Sequence, residues 1–319
     1  MYLLAAIRLV VLAGMLLVGH SAQAAYPCSV IKIITPVGAG QTFAAGQLMA
    51  ETLQRIMGVT VILEPKPGAG GSLGVLDVVR ASPDGCTVLY GISSALTLPF
   101  MESKPYNAQA DLQAVSLTIE VAPAVMLGYA GGFCSFESFA SAARARSGVL
   151  NVGANNFAFG HLAQLALLGA AGLQTTAVPF KSENDAVAQL AGGHIDAAFV
   201  LAPTALGAIA GGKVCPLVQV ATERNRYLRN IPSMKDVGVS GADFRVLNAL
   251  LLPKGTPKGV VDELALAVEK MKADPDFIKR MEVQASTPVP GGPKETALWL
   301  QRVSAEYAGV INKYYKKGK

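Results

Sequence analysis

Short apolar or β-branched runs alternate with segments of helical periodicity from Val30 almost to the C-terminus. "VIKIIT" leads into a helical pattern ending at Met57, and then come "VTVILE", a helical pattern over 72–80, and "CTVLYG". Strand-like runs that alternate with helices predict βαβ units and a parallel sheet. A second series begins at Val149: "VLNVGA", "GHLAQLALLGAA", "TTAVPF", "ENDAVAQLAGG", "IDAAFV", "PTALGAIAGG" and "CPLVQV". The chain therefore carries two α/β sets.

Between the sets lies "LQAVSLTIEVAPAVMLGYA", long enough for an extended crossover, and "DFRVLNALLLPKG" after the second set can return the chain to the first. The expected organisation is one domain from residues 25–121 and 247–319 and another from 122–246. Two C-terminal helices are expected. One is capped by Thr256 with Pro257 at its first position, and the last runs from about Lys294 to Tyr314.

The first 24 residues follow a different pattern. One early cation, Arg8, precedes an apolar run from Leu9 to Val18, and Ala22-Gln23-Ala24 forms a small-residue cleavage site. This reads as a secretory signal over 1–24, cut near Ala24, and the expected location is the periplasm. A membrane anchor is the rival reading, but the uninterrupted apolar stretch is too short to span.

Composition adds little to the class. With 51% hydrophobic and 15% charged residues in 319, the chain is globular and has room for two cores. Its net charge of +5 suits small anionic ligands but serves solubility equally well. The C-terminal "KYYKKGK" reads as a solvated tail, so no nucleic-acid partner is expected.

Four cysteines lie far apart with no Cys-x-x-Cys pair, which argues against a metal site and, in an oxidising compartment, for two disulfides. Three pairings are possible. Cys28 opens the first strand and Cys86 the third, and neighbouring parallel strands would bring those starts together. Cys28 with Cys86 and Cys134 with Cys215 is the favoured arrangement.

Two stretches imitate catalytic motifs. "GAGQTF" after a strand resembles a dinucleotide fingerprint, but Phe43 replaces the glycine that lets helix and strand pack closely, and no cofactor is expected. What survives is the attraction of a helix N-terminus for any anion, carboxylates included. "GGSLG" around Ser72 matches a nucleophile elbow and defines the alternative of an exported serine hydrolase. However, "PKPGAG" separates Ser72 from its strand, and nothing places His161 or His194 beside it. His161 stands at a helix start, where a structural role is the simpler reading.

"PVGAGQTF", "ILEPKPGAGGSLG", "ASPDGCTVLYG", "NVGANNFAFGHLA", "VPFKS", "LAGGHIDAAF", "NIPSMKDVGV" and "LLLPKGTPKGVVDELALAVEK", in that order, resemble the Bug-type (TctC-like) receptors of tripartite tricarboxylate transporters. The resemblance implies a Venus-flytrap fold of two α/β domains, no enzymatic activity, and a cleft that holds a carboxylate through backbone amides and small polar side chains. Carried over by position, the first-domain contacts fall on Val37, Gly38, Ala39, Gly40, Gln41, Thr42 and Phe43, and on Ser93, Ser94 and Ala95. The second-domain contacts fall on Asn155, Asn156, Phe157, Ala158 and Phe159, with Lys181 and with Leu201, Ala202 and Pro203.

Two departures from the family pattern stand out. The first loop reads Thr42-Phe43 where Thr-Asp is usual, and the second-domain loop carries Phe157 and Phe159 where small residues are common. An aromatic-lined cleft favours an aromatic or longer aliphatic acid without an amino group. The expected function is a periplasmic receptor for an organic mono- or dicarboxylate, docking as a monomer on membrane transporter subunits, or, alternatively, feeding a sensor.

Overall fold

The computed structural model describes residues 26–38, 40–92, 95–96, 99, 103–155, 159–241 and 246–315. The secretory signal expected over 1–24 lies outside them, as do Ala39, Ser93, Ser94, Asn156, Phe157 and Ala158. No helix among the described residues is long and apolar enough to cross a membrane.

The first α/β set is β1 (Val30–Thr35), α1 (Gln41–Met57), β2 (Thr60–Pro65), α2 (Ser72–Val79) and β3 (Thr87–Ile92). A short helix, α3 (Ala108–Asp111), leads into β4 (Leu112–Val121). The second set is β5 (Ala124–Tyr129), α4 (Phe136–Ala145), β6 (Asn151–Asn155), α5 (Phe159–Ala170), β7 (Thr176–Phe180), α6 (Glu183–Ala191), β8 (Ala197–Leu201), α7 (Ala202–Ala210) and β9 (Val214–Gln219). The chain then returns through β10 (Val246–Pro253), α8 (Lys258–Lys272), α9 (Pro275–Val283), β11 (Ser286–Pro288) and α10 (Pro293–Val310).

Two sheets result, ordered β11-β4-β10-β3-β1-β2 and β7-β6-β8-β5-β9. They are mixed, not purely parallel. β1, β2 and β3 run parallel, as do β6, β7 and β8, but β10 is antiparallel to β3 and β4, and β5 is antiparallel to β8 and β9. The reversed strands have a common cause: β5 and β10 are the strands that carry the chain into the opposite sheet, so they enter it from the other end. Only the strands joined by helical crossovers within one sheet keep the parallel direction.

Burial follows from this layering. β10 reads "VLNALLLP" with every residue buried, as a central strand covered on both faces should, and β4 is nearly as buried. Each lobe carries its own cross-link. Cys28 bonds Cys86, joining the residues ahead of β1 and β3, and Cys134 bonds Cys215, joining the segment before α4 to β9.

Two helix boundaries differ from the sequence reading. α8 begins at Lys258 with Pro257 in the cap position and no side-chain cap, and the Thr256 hydroxyl donates to the Pro253 carbonyl. α10 ends at Val310 and is continued by one π-helical turn over Ile311–Tyr315.

Candidate functional site: a cleft with two unlike walls

A cavity of about 700 Å³ opens between the two sheets. Its first wall is mostly backbone. β1 ends at Thr35, and Pro36, Val37 and Gly38 lead to Gly40, the N-cap of α1. Gly40 has φ 139°, a conformation that glycine adopts without steric cost, and no side chain caps the helix. There is no acidic residue in the first turn either. The free N–H groups that begin every α-helix, with the helix dipole behind them, are thus left to whatever enters the cleft.

Beside this turn runs Pro67 to Gly71, where residues 68 to 71 all have positive φ. Tight contact forces that choice at Gly71: a Cβ there would lie 3.1 Å from the Cβ atoms of Pro36 and Ala95, so the two loops of the wall touch through backbone. Gln41 is fixed at the same place, its amide nitrogen donating to Ser286 Oγ at 3.1 Å. The Ser286 hydroxyl in turn donates to the Gln284 carbonyl.

The second wall is made of side chains drawn from separate segments. Asn155 ends β6 and Phe159 starts α5, while Phe180, Lys181, Ser182, Glu183 and Asn184 form the β7–α6 junction. Leu201 and Thr204 come from the β8–α7 junction. Ser182 caps α6 by accepting from Asp185 N–H at 3.1 Å. Glu183 reaches across to α7: its carboxylate accepts from Leu201 N–H at 3.0 Å and from Thr204 Oγ1 at 2.6 Å. Burial pushes its pKa up, and those two donors pull it partly back.

Ile92, Val121 and Val246 supply an apolar floor, together with Asn248. The Asn248 amide is buried and donates to Tyr90 Oη at 2.8 Å.

The residues expected from the sequence divide clearly. Val37, Gly38, Gly40, Gln41, Thr42, Asn155, Phe159, Lys181 and Leu201 line the cavity. Phe43 is half-buried on α1 and Pro203 half-buried on α7, neither among the lining residues. Ala95 and Ala202 are fully buried behind the walls. Ala39, Ser93, Ser94 and the stretch 156–158 lie outside the described residues. The apolar ring beside Phe159 is Phe180, in a segment where only Lys181 was expected. Pro67–Gly71, Ser182, Glu183, Asn184, Thr204 and Asn248 also line the cavity, and none of them is among the residues expected there from the sequence.

Ser72, the nucleophile of the hydrolase alternative, is buried. Its hydroxyl donates to the Ala69 carbonyl at 2.7 Å, and it does not line the cavity. His161 is buried in the first turn of α5, where burial lowers its pKa.

Two α/β lobes joined by crossing strands, with a cavity at the strand ends between them, define a periplasmic-binding-protein (Venus-flytrap) fold. The chain belongs to the tripartite tricarboxylate transporter family receptors (TctC), whose sequence profile matches residues 45–315. These are solute-binding receptors, not enzymes.

Among solved structures the chain is similar to the periplasmic binding protein BugD, at 26% identity and TM-score 0.79 over 90% of this chain and 98% of that one. It shares the fold of MatC from Rhodopseudomonas palustris with bound malate (24% identity, TM-score 0.81, 90% and 100% covered). It likewise shares the fold of Rpa4515 from R. palustris with adipate (21% identity, TM-score 0.83, 91% and 98% covered).

Proposed function

We propose that this chain is an exported receptor that binds an organic acid between its lobes and delivers it to a tripartite tricarboxylate transporter. The lobes of 25–121 with 247–319 and of 122–246 close on the ligand as a monomer, after the leader over 1–24 is removed. The observation that carries the reading is the uncapped N-terminus of α1, open to the cavity beside the glycine-rich Pro67–Gly71 segment. Backbone N–H groups held this way receive a carboxylate without a cationic side chain. Malate and adipate in the two similar structures are acids of this kind.

The body of the ligand rests on Ile92, Val121, Val246, Phe159 and Phe180. A cavity of about 700 Å³, lined among the described residues by two aromatic rings, suits an aromatic or medium-chain aliphatic acid better than a small polyhydroxylated one.

The test is a melting and calorimetric comparison of hexanoate, adipate and benzoate against hexanamide, which has the same chain without the charge. Saturable binding of acids with a raised melting temperature, and none by the amide, is the expected result. Equal binding of hexanamide and hexanoate, or binding of no acid, would overturn it. Native mass spectrometry of the freshly purified protein can identify the acid directly.

A further inference from the structure

The helix ends on the two walls of the cleft are capped differently, and Glu183 makes the difference. It is the first residue of α6, and its carboxylate lies at the N-terminal end of the neighbouring α7. There Leu201 N–H and Thr204 Oγ1 donate to it at 3.0 and 2.6 Å. Pro203, in the same turn, has no N–H to offer. This helix end is already holding an anion supplied by the protein. A carboxylate has about four acceptor positions, so two bonds leave part of that capacity unused, and Glu183 lines the cavity.

No cation among the described residues is paired with it. Among the described residues the only other ionisable group lining the cavity is Lys181, which is exposed. The elements packed against α6 are β5, β6, β7, β8 and α7, and they carry no ionisable side chain except Tyr129 at the end of β5. On α6 itself the only other such side chain is the exposed Asp185, a second negative charge.

We propose that Glu183 sets the polarity of the ligand: the acid lies with its carboxylate against α1 and presents a hydrogen-bond donor, a hydroxyl or an ammonium, to the Glu183 carboxylate. The preferred class is then a monocarboxylic acid with a distal donor, and a dianionic dicarboxylate is disfavoured because its second carboxylate meets Glu183. This rests on the carboxylate-receptor reading above.

Four acids on one six-carbon skeleton separate the possibilities: hexanoate, 6-hydroxyhexanoate, 6-aminohexanoate and adipate, titrated calorimetrically near pH 7. The wild type should bind at least one donor-bearing acid about tenfold or more tighter than adipate, the size of a hydrogen bond to a charged group. The two donor acids tell a hydroxyl from an ammonium preference.

Glu183→Gln keeps the side-chain length and can still accept from Leu201 N–H, and it should reverse the order, adipate gaining and 6-aminohexanoate losing about tenfold. Should that variant fail to fold, the wild-type ranking decides alone. Adipate binding as tightly as both donor acids in the wild type overturns the proposal, as does a ranking that Glu183→Gln leaves unchanged. In either case acids still bind, and the receptor reading stands. If none of the four binds, both fall together.

Discussion

The two walls of the cleft are built from the same unit, a strand, a turn and a helix N-terminus, and they end in opposite states. On the first wall the helix end is empty of side chains, with Gly40 as cap and no acid in the first turn. On the second, the end of α7 is occupied by Glu183 from a different helix. Of these two helix ends, the one on α1 is left open to a ligand and the one on α7 is taken by a side chain. The same fold can therefore present helix ends of opposite character, according to how each is capped.

The lobes behind the walls can be compared by breaking their cross-links. Replacing Cys28 and Cys86 by serine, or Cys134 and Cys215, should each cost about 2–5 kcal/mol by chemical denaturation. The wild type, denatured without reductant, should show no free thiol, since both bridges are formed.

Backbone contact behind each wall gives the next effect. A Cβ at Gly160 would lie 2.7 Å from the Phe199 carbonyl oxygen, and one at Gly71 would meet Pro36 and Ala95 at 3.1 Å with φ at +96°. Gly160→Ala and Gly71→Ala should each lose about 1–3 kcal/mol. Gly38→Ala, with nothing within 4 Å, should change melting little. Equal behaviour of the three would mean that the loops are looser than described.

Thr204→Val tests the occupied helix end more narrowly. It leaves one oxygen of a desolvated carboxylate without its donor, at a cost of about 1–3 kcal/mol in thermal denaturation.

The smallest effect concerns pH. His161 has its pKa lowered by burial, so below about 6.5, its ordinary value, the unfolded chain binds more protons than the folded one. Stability contributed by keeping the ring neutral is present above that value and is lost as pH falls through the folded pKa. Denaturation curves between pH 7 and pH 5 should be flatter for His161→Gln than for the wild type.

Legibility in the sequence follows the same division. The first loop of the first wall is one contiguous stretch, and the resemblance could be carried onto Val37 to Thr42 because strand, glycines and helix start are adjacent in the chain. Pro67–Gly71 was read as a motif but not as a lining segment, since its contact with Pro36 depends on how two loops stack. The second wall joins residues around 155, 180 and 201, and Glu183 meets Leu201 only through the parallel packing of two crossovers. Locally, Glu183 is an ordinary acid in a first helical turn after a serine cap, and such acids are common for reasons of the dipole alone. Phe43, at the third position of α1, is not among the residues that line the cavity, although Gln41 and Thr42 are.

The α/β alternation was clear, but not the reversed direction of β5 and β10, because the local pattern of a buried strand is the same whichever way it runs. Cys28 with Cys86 was legible because both stand at the starts of neighbouring strands, which leaves Cys134 with Cys215 as the remaining pair.

The direct test of the account is to give the first wall what the second already has. Gln41→Glu places a carboxylate in the first turn of α1, at the helix end where the ligand's carboxylate is proposed to sit. By charge repulsion at a few ångströms it should weaken hexanoate binding about tenfold or more in calorimetric titration while the protein stays folded. Hexanoate binding to folded Gln41→Glu with wild-type affinity would contradict the account, because the ligand's carboxylate would then lie somewhere other than the open end of α1.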